Sequence, residues 1–254
     1  MKISILQYKI AWLNPQKNLD YIDENLKSLD SKTDLVILPE MFATGFTSEV
    51  ETCFETMDGA VISFLKERAA TYDIAICGSL LIKENDKYYN RFVFIKPNGE
   101  IQTYDKRHCF TYSGEDKIIT AGKENTIIEY KGWRIKPQIC YDLRFPVWSR
   151  NTEDYDILIY VANWPKARYF AYKTLITARA IENQCYVCAC NCVGTDGNNI
   201  LYDGNSMIID AKGQTVADAE SLETVISAEL DKSALEKFRA KFPVLKDGDN
   251  FLLK

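Results

Sequence analysis

The chain has 254 residues, with 31 lysines and arginines against 36 aspartates and glutamates, a net charge of −5. An acidic chain without a basic run argues against a nucleic-acid surface, and no apolar stretch reaches the roughly 18–20 residues of a membrane span. With 46% hydrophobic and 26% charged residues, it has ample material for a large core.

The opening run Lys2-Ile3-Ser4-Ile5-Leu6-Gln7-Tyr8 alternates as a strand does. It turns polar too soon for a signal peptide, which predicts a cytoplasmic protein. Between Pro15 and Leu29, the apolar positions Leu19, Ile22, Leu26 and Leu29 make a helical stripe. The run Leu35-Val36-Ile37-Leu38 suits a strand buried on both faces and leads into Pro39-Glu40. Asp58 opens a second helix through Tyr72, with Val61, Phe64, Leu65 and Ala69 inward. Strands follow at 74–81 and 91–95, and Asn98-Gly99 turns the chain into another at 101–104.

Residues 105–122 have no period and carry two polar clusters, Asp105-Lys106-Arg107-His108 and Ser113-Gly114-Glu115-Asp116-Lys117. A loop of this length inside a domain is more often functional than not. Strands at 126–130 and 133–139 flank Lys131-Gly132, and the second delivers Cys140 to a sharp change of direction. The later half repeats the earlier layout: a helix over 146–153, a strand at 157–163, a helix near 170–184, then strands at 185–193, 200–202 and 206–210. Without a linker or a low-complexity tract, this predicts one domain over 1–254 built of pseudo-symmetric halves. From about residue 231 a short helix and an irregular extension through Lys254 complete it.

Four of the eight cysteines crowd the segment Cys185-Tyr186-Val187-Cys188-Ala189-Cys190-Asn191-Cys192. Strand periodicity puts Cys188, Cys190 and Cys192 on one face and Cys185 on the other, which reads as buried small side chains rather than a metal site. Cys140 is different in position. A nucleophile at a strand-to-turn-to-helix corner is exposed beside backbone N–H groups that can receive an oxyanion. Taken alone, it reads equally well as one more packed thiol. His108, the single histidine, has no neighbour that marks it as a base. Glu40 is the better candidate, since burial at a strand end makes a carboxylate a usable base near neutrality. Lys106, also after a strand, has the charge to stabilise an oxyanion, although any single lysine is more often solvated.

Three segments together identify a family. Leu38-Pro39-Glu40-Met41-Phe42, Asp105-Lys106-Arg107-His108 and Ile139-Cys140-Tyr141-Asp142-Leu143-Arg144-Phe145-Pro146 resemble the three motifs of the nitrilase superfamily of carbon–nitrogen hydrolases. Ala162-Asn163-Trp164-Pro165, Ala178–Gln184 and Gly204-Asn205-Ser206 are similar to its downstream segments, in the same order. The resemblance implies a four-layer α-β-β-α sandwich. It implies Cys140 as nucleophile, Glu40 as general base, Lys106 as the cation on the tetrahedral intermediate and Glu115 as a second glutamate that positions these groups or assists proton transfer. The Tyr141 backbone N–H would complete the oxyanion hole, and His108 becomes a motif residue without a catalytic role. Arg144-Phe145-Pro146-Val147-Trp148 and Asn163-Trp164-Pro165 resemble the bacterial omega-amidase branch, whose substrate is 2-oxoglutaramate. Cys109 stands where leucine is common in the family and Cys192 where arginine is common.

The expected reaction is hydrolysis of a terminal amide through a cysteine thioester, without metal or organic cofactor. The alternatives are another acid amidase, such as one acting on deaminated glutathione, a carbamoylase, or a silent binding protein on the same fold. Arg168 and Arg144 are candidates for the substrate's far carboxylate, with Asn163 and Trp164 beside them. Neither nucleic acid nor membrane is expected as a partner, whereas a homodimer or larger homo-oligomer is.

Overall fold

The computed structural model describes residues 1–249, 251 and 252; Asn250, Leu253 and Lys254 of the C-terminal extension lie outside the described residues. The elements run β1 (Lys2–Gln7), α1 (Pro15–Lys27), β2 (Leu35–Ile37), α2 (Val50–Cys53), α3 (Ala60–Tyr72), β3 (Ala75–Glu84), β4 (Lys87–Ile95) and β5 (Ile101–Asp105). They continue as β6 (Ile128–Tyr130), β7 (Trp133–Ile139), α4 (Pro146–Ser149), β8 (Ile157–Val161), α5 (Tyr169–Asn183), β9 (Tyr186–Cys190), β10 (Val193–Thr195) and β11 (Leu201–Asp203). The last are β12 (Met207–Ile209), β13 (Thr215–Asp218), β14 (Thr224–Glu229) and α6 (Lys232–Lys241).

Two six-stranded sheets, ordered β14-β1-β2-β3-β4-β5 and β13-β12-β9-β8-β7-β6, carry the duplication. Each has three central parallel strands, β1, β2 and β3 in one and β7, β8 and β9 in the other, with antiparallel strands outside them. Alternation decides which side chains meet. Ile3, Ile5, Leu35, Ile37, Ala75 and Cys77 point from the first sheet onto Ile135, Ile139, Ile157, Ile159, Cys188 and Cys190 of the second. The opposite face of the first sheet buries Leu19, Ile22 and Leu26 of α1 with Ile62, Leu65 and Ala69 of α3. That of the second buries Tyr172, Ile176 and Ala180 of α5. The layers are therefore α-β-β-α, the predicted sandwich. Parallel strands buried on both faces explain why Leu35–Ile37 and Ile157–Val161 read as unbroken apolar runs.

Several boundaries differ from the sequence expectation. β3 and β4 form one long hairpin turned by Asn85 and Asp86, both with positive φ (48° and 60°), where the reading left a gap between 81 and 91. Asn-Asp tolerates the left-handed conformation that a two-residue hairpin turn needs. The helix expected over 146–153 stops at Ser149, and the strand expected over 185–193 divides into β9 and β10, which belong to different sheets. β13 and β14 were absent from the reading; β14 is half exposed along its length and so lacks a strong apolar signal.

The cysteine segment is packing: Cys188 and Cys190 lie between the sheets and Cys185 lies under α5, but Cys192, expected on the face of Cys188 and Cys190, lies past the end of β9 and packs with the cluster on the outer face of the first sheet. Burial pushes the thiols of Cys77, Cys188 and Cys190 and the phenols of Tyr8, Tyr104 and Tyr155 upward from their ordinary values. The unfolded chain releases these protons near pH ~8.5 and ~10, whereas the folded chain retains them. It follows that ∂ΔG/∂pH is negative above the unfolded values. The thermal midpoint is expected to hold steady to about pH 8 and then to drop progressively. Melts in a pH series test this; a flat curve to pH ~11 would contradict it.

Candidate active site

Three strand ends converge at one edge of the sandwich. Glu40 lies three residues past β2, on a segment tied to β3 by Leu38 N–H donating to the Cys77 carbonyl and Phe42 N–H to that of Ser79. Lys106 follows β5; its N–H donates to the Asn90 carbonyl and its own carbonyl accepts from Gly122 N–H (2.8 Å). A Cβ at residue 122 would stand 2.1 Å from the Asp105 carbonyl oxygen, so only glycine permits this approach. Cys140 terminates β7 in the left-handed region at φ 44° and begins a 3-10 turn, Cys140–Arg144. The first N–H groups of such a turn have no partner within it, which leaves the Tyr141 N–H available to an oxyanion.

Asp142 holds the corner. Its buried carboxylate accepts from Ile139 N–H (3.0 Å), Tyr104 O–H (2.7 Å) and His108 N–H (2.9 Å), with His108 Nδ1 at 2.8 Å. The His108 ring stacks on Phe145 at 3.8 Å. His108 here braces the turn through Asp142 and Phe145.

The four polar groups implied by the motifs do meet. Lys106 Nζ donates to Glu40 Oε1 (2.9 Å) and to both carboxylate oxygens of Glu115 (3.0 Å each), and all three side chains are nearly inaccessible to solvent. Burial opposes the Lys106 charge, but the carboxylates of Glu115 and Glu40 outweigh it and hold the ammonium well above its usual range. Burial also pushes the Cys140 thiol well up, with Glu40 adding to the effect and Lys106 opposing it. The resting sulfur is thus held toward the neutral thiol.

Bond saturation separates the two glutamates. A carboxylate oxygen accepts about two hydrogen bonds in its plane. Glu40 Oε1 has two, from Asn90 Nδ2 (2.7 Å) and Lys106, whereas Oε2 has one, from the Asn163 N–H (2.8 Å). Glu115 Oε2 accepts from Lys106 and Phe110 N–H (2.5 Å), and its Oε1 from Lys106 and Asn90 (3.4 Å). Glu40 Oε2 retains an open acceptor position; Glu115 does not.

Glu40, Lys106, Cys140, Tyr141, Arg144, Asn163, Trp164 and Arg168 all line one cavity, roofed by Phe46, Phe110 and Ile200. Arg144 lies over the Trp164 ring (4.9 Å) and Arg168 over Phe110 (5.2 Å). Among the described residues neither guanidinium has a carboxylate partner, unlike Arg91, which pairs with Asp105 and Glu84. Asn163 reaches the cavity, but its side chain is engaged: Nδ2 donates to the Glu40 carbonyl (2.6 Å) and Oδ1 accepts from Cys192 Sγ (2.9 Å). The sequence reading missed Ser79 and Asn90; the serine inside the apolar run of β3 was the available signal, whereas Asn90 stands beside Arg91 in a mixed stretch of β4. No group of three or more His, Cys, Asp or Glu side chains among the described residues is placed to hold a metal ion.

Residues 2–240 match the family model described as carbon-nitrogen hydrolase. The chain is 46% identical over its full length to an omega-amidase of Yersinia enterocolitica, covering 98% of that protein. It is 33% identical to a 2-oxoglutaramate amidase of Bacillus subtilis, over 96% of each chain. A carbon-nitrogen hydrolase superfamily protein from Xanthomonas campestris, solved with an arsenic adduct in its active site, superimposes with a TM-score of 0.98 at 43% identity. That match covers 100% of this chain and 99% of the other.

Proposed function

The chain belongs to the carbon-nitrogen hydrolase family, and from that premise we propose that it is an omega-amidase converting 2-oxoglutaramate to 2-oxoglutarate and ammonia. The observation that carries this reading is the pair of guanidinium groups, Arg144 and Arg168, that lie in the same cavity as Cys140 with no carboxylate partner among the described residues. A substrate with an amide at one end and a carboxylate at the other satisfies both ends of that cavity. The names of the relatives support the same substrate class.

The proposed chemistry proceeds in two halves. Glu40 Oε2 takes the thiol proton while Cys140 Sγ attacks the amide carbon. The oxyanion is held by the Tyr141 N–H and by the positive charge of Lys106 Nζ, whose three donors rest on the carboxylate oxygens of Glu40 and Glu115 before the substrate arrives. Glu40 returns the proton to the nitrogen, the C–N bond breaks, and ammonia departs from a thioester. Water then attacks the thioester with Glu40 again as base, and the thiol is restored as the acid leaves. Glu115, saturated by its donors, positions Lys106 in this scheme.

Arg168→Met and Arg144→Met are expected to raise KM for 2-oxoglutaramate by about 10- to 100-fold, the worth of a charge-assisted bond. KM for a neutral amide of similar length should hardly move. Steady-state ammonia release measures both, and a wild-type preference for neutral amides would defeat the substrate assignment.

The proposal extends to a cytoplasmic homo-oligomer. Eight free cysteines suit a reducing compartment, and exposed Phe170, Ile181 and Phe242 are apolar surface that a second copy would cover.

A further inference from the structure

We infer that Ser79 and Asn90 form a one-way hydrogen-bond relay that fixes which oxygen of Glu40 receives the thiol proton, making both of them positioning residues. The inference rests on the proposed role of Glu40 as base, and it concerns side chains outside the motif set.

The relay starts at the backbone. Met41 N–H, immediately after Glu40, donates to Ser79 Oγ (3.0 Å). A hydroxyl has a single proton, and that of Ser79 goes to Asn90 Oδ1 (2.8 Å). The amide is thereby oriented: its oxygen faces Ser79 and its NH₂ faces the carboxylates of Glu40 (2.7 Å) and Glu115 (3.4 Å). A flipped amide would set Oδ1 against two carboxylate oxygens, so the serine selects the productive orientation. Ser79 and Asn90 are wholly buried, out of reach of bulk solvent. The Asn90 carbonyl also receives the Lys106 N–H (3.0 Å), so one residue touches Glu40, Glu115 and Lys106.

The consequence is chemical. With Asn90 and Lys106 both on Oε1, that oxygen has no position left for a proton, and the thiol proton is directed to Oε2. Asn90 supplies this donor without charge. A cationic donor there would overstabilise the carboxylate and weaken it as a base, while a carboxylate would repel it.

Two variants test the relay. Ser79→Ala removes one buried oxygen and leaves Asn90 Oδ1 and the Met41 N–H without that partner, so that the amide is held from one side only; kcat is expected to fall about tenfold with KM unchanged. Asn90→Asp removes the donor and adds a charge; kcat is expected to fall about 10²- to 10³-fold near neutral pH. Its ratio to wild type should climb as the pH is lowered, because the introduced carboxyl, once protonated, can again donate to Oε1. A merely structural role predicts a ratio independent of pH. Rates are taken on whichever amide the wild type hydrolyses fastest, so failure of the 2-oxoglutaramate assignment leaves this comparison intact. Wild-type kcat in Ser79→Ala, or a flat ratio in a folded Asn90→Asp, would overturn the relay. Should Asn90→Asp not fold, Ser79→Ala alone decides.

Discussion

Cys140→Ala and Cys140→Ser are expected to lower ammonia release from 2-oxoglutaramate by about 10⁴-fold or more, the scale on which a covalent nucleophile is lost. The serine variant is the more informative of the two. It keeps the size and the left-handed corner, yet its hydroxyl is far harder to deprotonate than a thiol, and Glu40 is a carboxylate rather than a strong base. The thiol itself is held neutral by burial and by Glu40, so the enzyme depends on transferring the proton during attack. Ammonia release should accordingly fall in Glu40→Gln as well, even though the cysteine is unchanged. Activity surviving in both Cys140 variants would remove the thiol from the reaction; ammonia release indifferent to Glu40 would remove the base.

How much of this was legible beforehand varies with the type of signal. The central strands were readable because burial on both faces forces unbroken apolar runs such as Leu35–Ile37 and Ile157–Val161. β13 and β14 were not, since edge strands half open to solvent carry mixed residues. Glu40, Lys106 and Cys140 stood out by chemistry at strand ends, and motif order joined them. Asn90 and Ser79 did not, because nothing in the local pattern says that residues eleven apart will meet on a diagonal across the β3–β4 hairpin. That Arg144 and Arg168 have no carboxylate partner among the described residues was equally hidden: pairing is a property of the assembled cavity, whereas each arginine by itself reads as an ion-pair residue. Asp142 looked like a strand terminator; its four contacts come from elements up to 38 residues away in the chain.

Lys106→Met is expected to destabilise the fold by about 3–5 kcal/mol and to lower kcat by about 10²- to 10³-fold. The two losses have different origins. The ammonium sits 2.9 Å from Glu40 and 3.0 Å from Glu115, out of solvent, so its removal leaves two carboxylates facing one another without a counter-ion. With its ionisation pushed up in the folded state, Lys106 contributes stability that is fully present below the ordinary lysine value of about 10.4 and lost only as the pH rises beyond it. In Lys106→Met the sign changes. One of the two carboxylates must bind a proton to stay buried, so the deficit relative to wild type should shrink from pH ~7.5 to pH ~5. Denaturant melts at the two pH values measure it, and a constant deficit would show that the loss is packing alone. Adding Glu115→Gln to Lys106→Met removes the repulsion but restores no cation. Stability is then expected to recover in part while kcat stays low. Recovery of both together would mean that Lys106 serves the reaction only by neutralising the Glu115 charge.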